Sequence, residues 1–578
     1  MKGYPSEKKI ENPLVSEDFI RLLRNPKSVT SLSLSKPVTS SALRHKVEPS
    51  ILVAVIPYSN LIELEFSGTE DECKALFSVL PDSQLAKLDL SFSKLGLEEV
   101  NALASALPNS QVSALNLRYC VIRDEGAVAL ASALPSCKLT ELNLKYNEIT
   151  QEGAVALANA LPSCKLTTLD LELNEVFDEG AVAIASALPN SKLVTLNLVA
   201  SYLDSFSRIS DEGALALARA LPSSQLTTLN LAFNNIGTEG ALALARALPS
   251  SQLTTLNLES NNKIGTEGTK ALIDCLPDCQ LATLNLSNQD IRDQAAVRLS
   301  SALPGSKLTT LVWSGNSMRN EGAAALASAL PRSQLSTLSL GSNRMGIEEI
   351  KAIASGLPGS QITQLDLRYN SMIEEEAAAL SNALSSSQVA ILNLERNMIN
   401  QNAAKALFSD LPNSRLTALY LKENEIGDEG AKALASALPG SQLTTLILGE
   451  NKIGDEGMKA LASALPNCQL TTLDLGLNKI GDEGVAAIAS TLPNSQLIKL
   501  DLKSNLISSE GINALASALP SSELSELDLS NHQMRFKEVS ALLDALPSSQ
   551  ITKLILKNVF VTSDQDRFSL PNIEVIFF

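Results

Sequence analysis

Two histidines, His45 and His532, are the whole supply of imidazole in a chain of 578 residues. A zinc site built on several His side chains is therefore excluded, and a histidine general base could only be one of these two. Carboxylates are plentiful, and adjacent pairs such as Asp455–Glu456 recur. Their recurrence, each time just ahead of an apolar-periodic segment, points to helix starts. There carboxylates favour the helix dipole and cap free N–H groups. The seven cysteines are an odd number and do not read as a disulfide framework. Four of them (Cys137, Cys164, Cys279 and Cys468) share one slot that Ser fills in other units, which reads as a small buried residue interchangeable with Ser. Cys137 and Cys164 lie in adjacent units, but with side chains pointing the same way no bond is implied. No GxxxxGK[ST], HExxH, CxxC or GxSxG motif is present. The chemistry-bearing residues thus predict no enzyme, no cofactor and no metal site.

Composition narrows the partners. The net charge is −17, which disfavours a nucleic-acid or anionic-membrane surface. The charge is unevenly placed: residues 1–60 hold nine Lys/Arg against five Asp/Glu, a net of +4, and the remainder carries −21. The first 13 residues, MKGYPSEKKIENP, lack the apolar stretch of a secretory signal. No run approaches the roughly 18 apolar residues of a membrane span. The expectation is a cytoplasmic protein with no membrane span; its oligomeric state is left open.

The residues are positioned by an internal repeat, the feature that decides the architecture. LTTLILGENKIGDEGMKALASALPNCQ, from Leu443, is followed by LTTLDLGLNKIGDEGVAAIASTLPNSQ, from Leu470. Nineteen such units begin at Leu61, Leu85, Val112 and so on to Ile551, and from Leu281 onward the spacing is 27 without exception. VTSLSL at Val29 reads as a degenerate twentieth. In each unit LxxLxL alternates at period 2, the mark of a short strand. The second half places apolar or small residues on one helical face, as with Ala460, Leu461, Ala464 and Leu465 behind Gly457. Leu-Pro closes the unit, because Pro disfavours α geometry in the residue before it. Ser385 breaks that rule and is a candidate soft point. A 27-residue strand–helix unit cannot bury its apolar face alone, so units must stack. Strands about 4.8 Å apart beside helices roughly 10 Å wide predict a curved stack with helices outside. The expected class is α/β: a solenoid, or horseshoe, with a parallel concave sheet and helices on the convex face. Residues 1–60 are expected to cap one end, 61–558 to carry about 19 units of 27 residues, and 559–578, ending in NIEVIFF, to cap the other.

The pattern LxxLxLxxNxIxxxGxxALAxAL closely resembles the leucine-rich repeat of the ribonuclease-inhibitor subtype. That subtype also occurs in Ran GTPase-activating protein and in the sensor end of nucleotide-binding innate immune receptors. The resemblance covers residues 61 to about 558 and is specific for fold, not for function. In the family, the Asn that follows the strand satisfies backbone groups at the turn. Here 12 of 19 units carry it, among them Asn147, Asn174, Asn234, Asn424, Asn451, Asn478 and Asn505. Cys120 and His532 occupy the same slot, so His532 reads as a turn residue.

Numbering each unit from its first apolar residue, offsets +2, +4 and +6 face the concave side and +7 lies at its edge. Asn or Asp fills +4 in 13 of 19 units, and Thr runs at +2 from Thr168 to Thr337. Both series read as side-chain ladders of the scaffold. Departures from the template are more informative. Position +7 gives Phe92, Tyr119, Tyr146, Leu173, Ala200 and Phe233, four of them aromatic in a chain with 4% aromatics. The +6 residues beside them include Arg118, Lys145 and Glu172. Aromatic and Arg anchors are what interface hot spots favour. A second group comprises Arg368, Tyr369, Glu395, Arg396, Tyr420, Lys422 and Glu423. The unit at Leu193 has six extra residues, which place Tyr202, Phe206 and Arg208 beside the first group.

These features predict a non-enzymatic scaffold that binds a protein partner on its concave face and adjoining loops. A leucine-rich repeat chain with no receptor domain also resembles the effectors that intracellular bacteria deliver into host cells. That resemblance implies a host protein as partner and export independent of a signal peptide. Two alternatives stay open: a regulator of a small GTPase, by similarity to Ran GTPase-activating protein, and an inhibitor of a basic enzyme drawn to an acidic face.

Overall fold

A computed structural model describes residues 31–34, 53–201, 208–532, 534, 536–558 and 574–577. The chain divides into two compact units, Met1–Lys263 and Ile264–Phe578. In the first, the described strands run from β1 (Ser31–Leu34) to β9 (Thr255–Asn257) and pair in parallel in sequence order, with helices from α1 (Glu70–Val79) to α7 (Thr238–Ala247) between them. In the second, β10 (Thr283–Asn285) to β21 (Glu574–Phe577) do the same, with helices from α8 (Gly265–Asp274) to α18 (Phe536–Ala545). Both units are thus parallel sheets with a helix after nearly every strand, the α/β class the repeat predicts.

One repeat shows how sequence becomes structure. From Leu166, alternation at period 2 gives the strand Thr168–Asp170, in which Leu169 is buried and its neighbours are half-buried. The helix Phe177–Ala187 buries Gly180, Ala181, Ile184, Ala185 and Ala187. These are the small and branched positions of one face, and they meet Leu166, Leu169 and Leu171 in the core. The sheet also extends in front of Leu61. β1 pairs in register with Glu63–Phe66, and Ile56–Tyr58 forms the same turn that ends the later helices, with Ser59 Oγ donating to Ile56 O at 2.8 Å. At the other end, the strand expected from NIEVIFF forms and pairs with Lys553–Leu556.

Two local expectations are corrected. Leu before Pro does not leave α geometry: Leu161 has φ −54° and ψ −43°. The helix instead tightens into a 3-10 turn, Leu161–Ser163, with Pro at its start. Proline has no N–H to continue the α ladder, and a 3-10 turn entered at its first residues needs none. At Ser385 the helix Glu374–Leu384 ends in the same place without Pro, the Ser385 hydroxyl bonding back to Asn382 O.

The second correction concerns the Asp of each Asp–Glu pair, which caps the next helix, not its own. Asp455 Oδ1 accepts the N–H groups of Gly481 and Gly484 at 2.7 and 2.9 Å. Asp124, Asp178, Asp211, Asp293, Asp428 and Asp482 make the same pair of bonds one repeat onward. Each carboxylate lies against the positive end of a neighbouring helix, where two unpartnered donors converge.

The slot after the strand works in the opposite direction along the stack. Asn147 Oδ1 accepts from Cys120 N and Ile122 N, and its Nδ2 donates to Leu117 O. All three partners belong to the preceding repeat. His532, in this slot, is buried; its Nε2 accepts from Asn505 N at 3.1 Å and its Nδ1 lies 2.9 Å from Leu529 O. Those partners fix the neutral tautomer with the proton on Nδ1. Burial holds the imidazole below the ordinary histidine range. Because the unfolded chain binds the proton more readily, stability from this residue is complete above an unfolded pKa of about 6.5 and falls as pH drops below it. Thermal melts at pH 7.5 and 5 are expected to show a smaller acid loss in His532→Asn than in the wild type, since Asn keeps the bonds and does not titrate.

Candidate functional site

The +4 residues make the turn that presents the site. In all 13 units with Asn or Asp there, a side-chain oxygen accepts the N–H of +6 and ends the strand in an Asx turn. They are scaffold, through this turn more than through contact with identical neighbours; Asn116 Nδ2 to Asp89 Oδ2 at 2.8 Å is one lateral bond. The lateral hydroxyl ladder runs at +1, which sequence reasoning passed over: Thr140, Thr167, Thr254, Thr444 and Thr471 each donate to the carbonyl of the preceding repeat's +1 residue.

After that turn, +7 enters the left-handed region in nearly every unit. Phe92, Tyr119, Tyr146, Leu173 and Phe233 have φ between 52° and 62°, as do Tyr369 and Arg396. Left-handed backbone costs an ordinary residue about 1–2 kcal/mol, and Gly or Asn less. Gly315, Asn288, Asn531 and Asn558 show that the cheaper residues fit the slot. Three adjacent units nonetheless carry aromatic rings there.

Those rings form one stack. Phe92 and Tyr119 have centroids 5.4 Å apart, and Tyr119 and Tyr146 lie 4.1 Å apart and within 6° of parallel. The Arg118 guanidinium sits 5.4 Å from the Phe92 ring. The three rings remain 38%, 42% and 40% exposed, so stacking covers one another and leaves edges to solvent. Lys145 Nζ pairs with Glu172 Oε1 at 2.5 Å beside them, and Glu172 Oε2 accepts from Asn197 Nδ2. The expected stripe stops here: Leu173 carries no ring, Ala200 is buried, and Phe233 stands beyond them, half-buried. Of the insertion, Arg208 donates to Ser201 O; Tyr202 and Phe206 lie outside the described residues.

Next to the stack, the exposed face of the first unit's sheet forms a trough of about 460 Å³ lined by Glu63, Glu65, Asp89, Glu141 and Asp170. Lys87 is the one cation in that lining, and it is paired with Glu63 at 2.7 Å. Burial pushes the Asp170 carboxyl above the usual carboxylate range. These acidic residues sit at +2 and +4, positions that sequence reasoning assigned wholly to scaffold. Their signal was departure from Thr at +2, as in Glu141.

The second unit carries a smaller group. Arg396 lies 5.0 Å from the Tyr369 ring and pairs through Nε and Nη2 with Glu423, both at 2.6 Å. Arg368 pairs with Asp366, and Lys422 with Glu450. Tyr420 is apart from this row, at the end of the strand Ala418–Tyr420, in register with Asn393 and Ile447. Ile373 and Met398, exposed and apolar, join Tyr369 on the same side of adjacent repeats. The template alone did not flag them, because they fall at +11 and +9. Among the described residues, no group of three His, Cys, Asp or Glu is placed to hold a metal ion, and no helix is long and apolar enough to cross a membrane.

The family model described as Leucine Rich repeat matches residues 109–131, 136–158, 163–185, 223–245, 250–272, 413–435, 442–462 and 467–489. No curated protein matches the chain. Among solved structures, the internalin inlF from Listeria monocytogenes is similar at 20% identity and a TM-score of 0.38, over 60% of this chain and 85% of that one. TLR13 in complex with ssRNA13 is similar at 20% identity and a TM-score of 0.49, over 90% and 70%. The complex of Rad7 and Elc1 in yeast gives 19%, 0.40, 76% and 89%. At such identities and scores these likenesses bear on no function.

Proposed function

The chain is built of leucine-rich repeats, and we propose that it is a non-enzymatic scaffold that binds a protein partner across the Phe92–Tyr119–Tyr146 stack and the adjoining acidic trough. The observation that carries this reading is the cost borne at +7. Three rings are held in left-handed backbone and left about two-fifths exposed, where Asn or Gly would serve the fold better. The trough's carboxylates favour a partner segment rich in Lys or Arg, which also supports the narrower reading of an inhibitor of a basic enzyme. The ribonuclease-inhibitor subtype fits the 27-residue strand–helix unit and its Asn slot. A role as a bacterial effector acting on a host protein belongs to the same proposal.

Affinity capture from candidate host lysates, run in parallel with wild type and Tyr119→Ala/Tyr146→Ala, tests it. A partner retained by the wild type is expected to bind the double variant at least about thirtyfold more weakly, as for two central aromatic anchors. Equal recovery on both would remove the site. Tyr119→Asn separates binding from folding: it is expected to weaken capture while leaving the melting temperature unchanged or slightly raised, because Asn tolerates φ 61°.

A further inference from the structure

Cys275 and Cys279 stand on either side of a single 3-10 turn, Leu276–Asp278, at the end of α8. No other two cysteines in the chain lie four residues apart. Asp278 N–H donates to Cys275 O at 3.1 Å, which draws the two ends of the turn together. Cys275 Sγ points to Leu272 O at 3.2 Å and Cys279 Sγ to Leu276 O at 3.5 Å. The two sulfurs are within hydrogen-bonding contact of each other.

The repeat supplies its own controls. Cys137, Cys164 and Cys468 fill the same slot as Cys279 and make the same bond to the Leu three residues back. Four residues before them stand Ala133, Ala160 and Ala464. Burial pushes those three thiols up. Cys279 alone is drawn down, to about 7, because the Cys275 thiol donates to its sulfur, and Cys275 is correspondingly raised. Near neutral pH the pair therefore holds one thiolate and one thiol in contact. Cys279 is 1% exposed, while Cys275 is half-buried and gives a small molecule its way in.

We propose that Cys275 and Cys279 form a peroxide-reactive dithiol site that closes to an intramolecular disulfide. The thiolate sulfur attacks one oxygen of hydrogen peroxide and the O–O bond breaks. One oxygen stays on sulfur as a sulfenic acid, and the other leaves as hydroxide and takes a proton from solvent. The second sulfur then attacks the sulfenic sulfur; the S–S bond forms, the S–O bond breaks, and the departing hydroxide takes the remaining thiol proton. Two thiols and one peroxide become one disulfide and two waters, the sulfurs being oxidised and the peroxide oxygens reduced. This step is independent of the partner-binding reading.

The test is peroxide treatment of the full chain, followed by alkylation and peptide mass mapping. The Cys275–Cys279 peptide is expected to lose two hydrogen atoms and resist alkylation while Cys137, Cys164 and Cys468 still alkylate. Cys275→Ala restores the residue found in those three repeats, so it is expected to fold. It should slow oxidation of Cys279 on the order of tenfold or more, to the rate of Cys137. Oxidation of Cys279 at the wild-type rate in that variant, or oxidation of Cys137 and Cys468 as fast as the pair, would overturn the proposal. The pH dependence of Cys279 alkylation in the wild type gives a second reading: a midpoint near 7 supports it, and a midpoint at or above that of an ordinary thiol refutes it.

Discussion

Asn147→Leu is expected to destabilise the first unit by about 4 kcal/mol, with the loss concentrated around residues 117–122. Asn147 is fully buried. Its oxygen takes two backbone N–H groups, Cys120 at 2.9 Å and Ile122 at 3.2 Å, and its amide nitrogen serves Leu117 O at 2.7 Å and Lys145 O at 3.3 Å. Leucine matches its volume but pairs with none of them. Each buried backbone group left unpaired costs about 1–3 kcal/mol, while the apolar gain from Leu is at most about 2 kcal/mol. The unpaired groups therefore decide the sign. Repeats couple chiefly to their neighbours, so hydrogen exchange is the right measurement. The amides of Cys120 and Ile122 should lose most of their protection, and those of the second unit should keep theirs. Uniform exchange change across the chain, or none, would contradict the account.

Gly457→Val is expected to cost the second unit about 3–5 kcal/mol. A Cβ on Gly457 would stand 2.7 Å from Asp428 Oδ1, 2.9 Å from Ile453 Cγ2 and 3.0 Å from Ala431 Cβ. The first of these is the oxygen that caps this helix, accepting from Gly454 N at 2.7 Å and Gly457 N at 3.0 Å. A side chain there must push away either the carboxylate or the neighbouring helix. Replacing Gly in a helix gains up to about 1 kcal/mol of propensity, too little to offset overpacking of 1–3 kcal/mol and two lost cap bonds. Gly457→Ala should fall between wild type and Val. The single tryptophan, Trp313, is buried in this unit, so its fluorescence in a denaturant titration follows the change. An Ala variant as stable as wild type would mean the helices separate more easily than their contacts imply.

Much of the fold was legible because one template is written many times. LxxLxL marks the strand, and the Gly with Ala and Leu behind it marks the helix face; Asn147, Asn174 and their equivalents mark the turn. Groups that act between repeats were harder to read. Nothing in the local sequence says that Asp455 serves the helix starting one repeat later, nor that Thr at +1, not +2, reaches the adjacent carbonyl. Such assignments depend on how far apart two stacked segments lie. For the candidate site, Phe92, Tyr119 and Tyr146 stood out by type, and the structure brings them together. Phe233 stood out equally and is placed apart, because Ala200 and the insertion interrupt the row. The acidic trough escaped notice since Glu63, Asp89 and Asp170 resemble the repeating polar residues around them.

The two kinds of bond between repeats run in opposite directions, and this bears on how such a chain can change in length. Every repeat lends an Asp carboxylate to the helix after it and an Asn side chain to the turn before it. No repeat is complete alone, yet each has the same requirements as its neighbours. Copying or deleting a whole 27-residue period in register leaves every donor with an acceptor, because the residue that arrives is equivalent to the one that left. A cut out of register strands a carboxylate on one side and two amide hydrogens on the other. Length is therefore free to vary in steps of one period, and the near-identity of the units at Leu443 and Leu470 is what a step of that kind would leave behind.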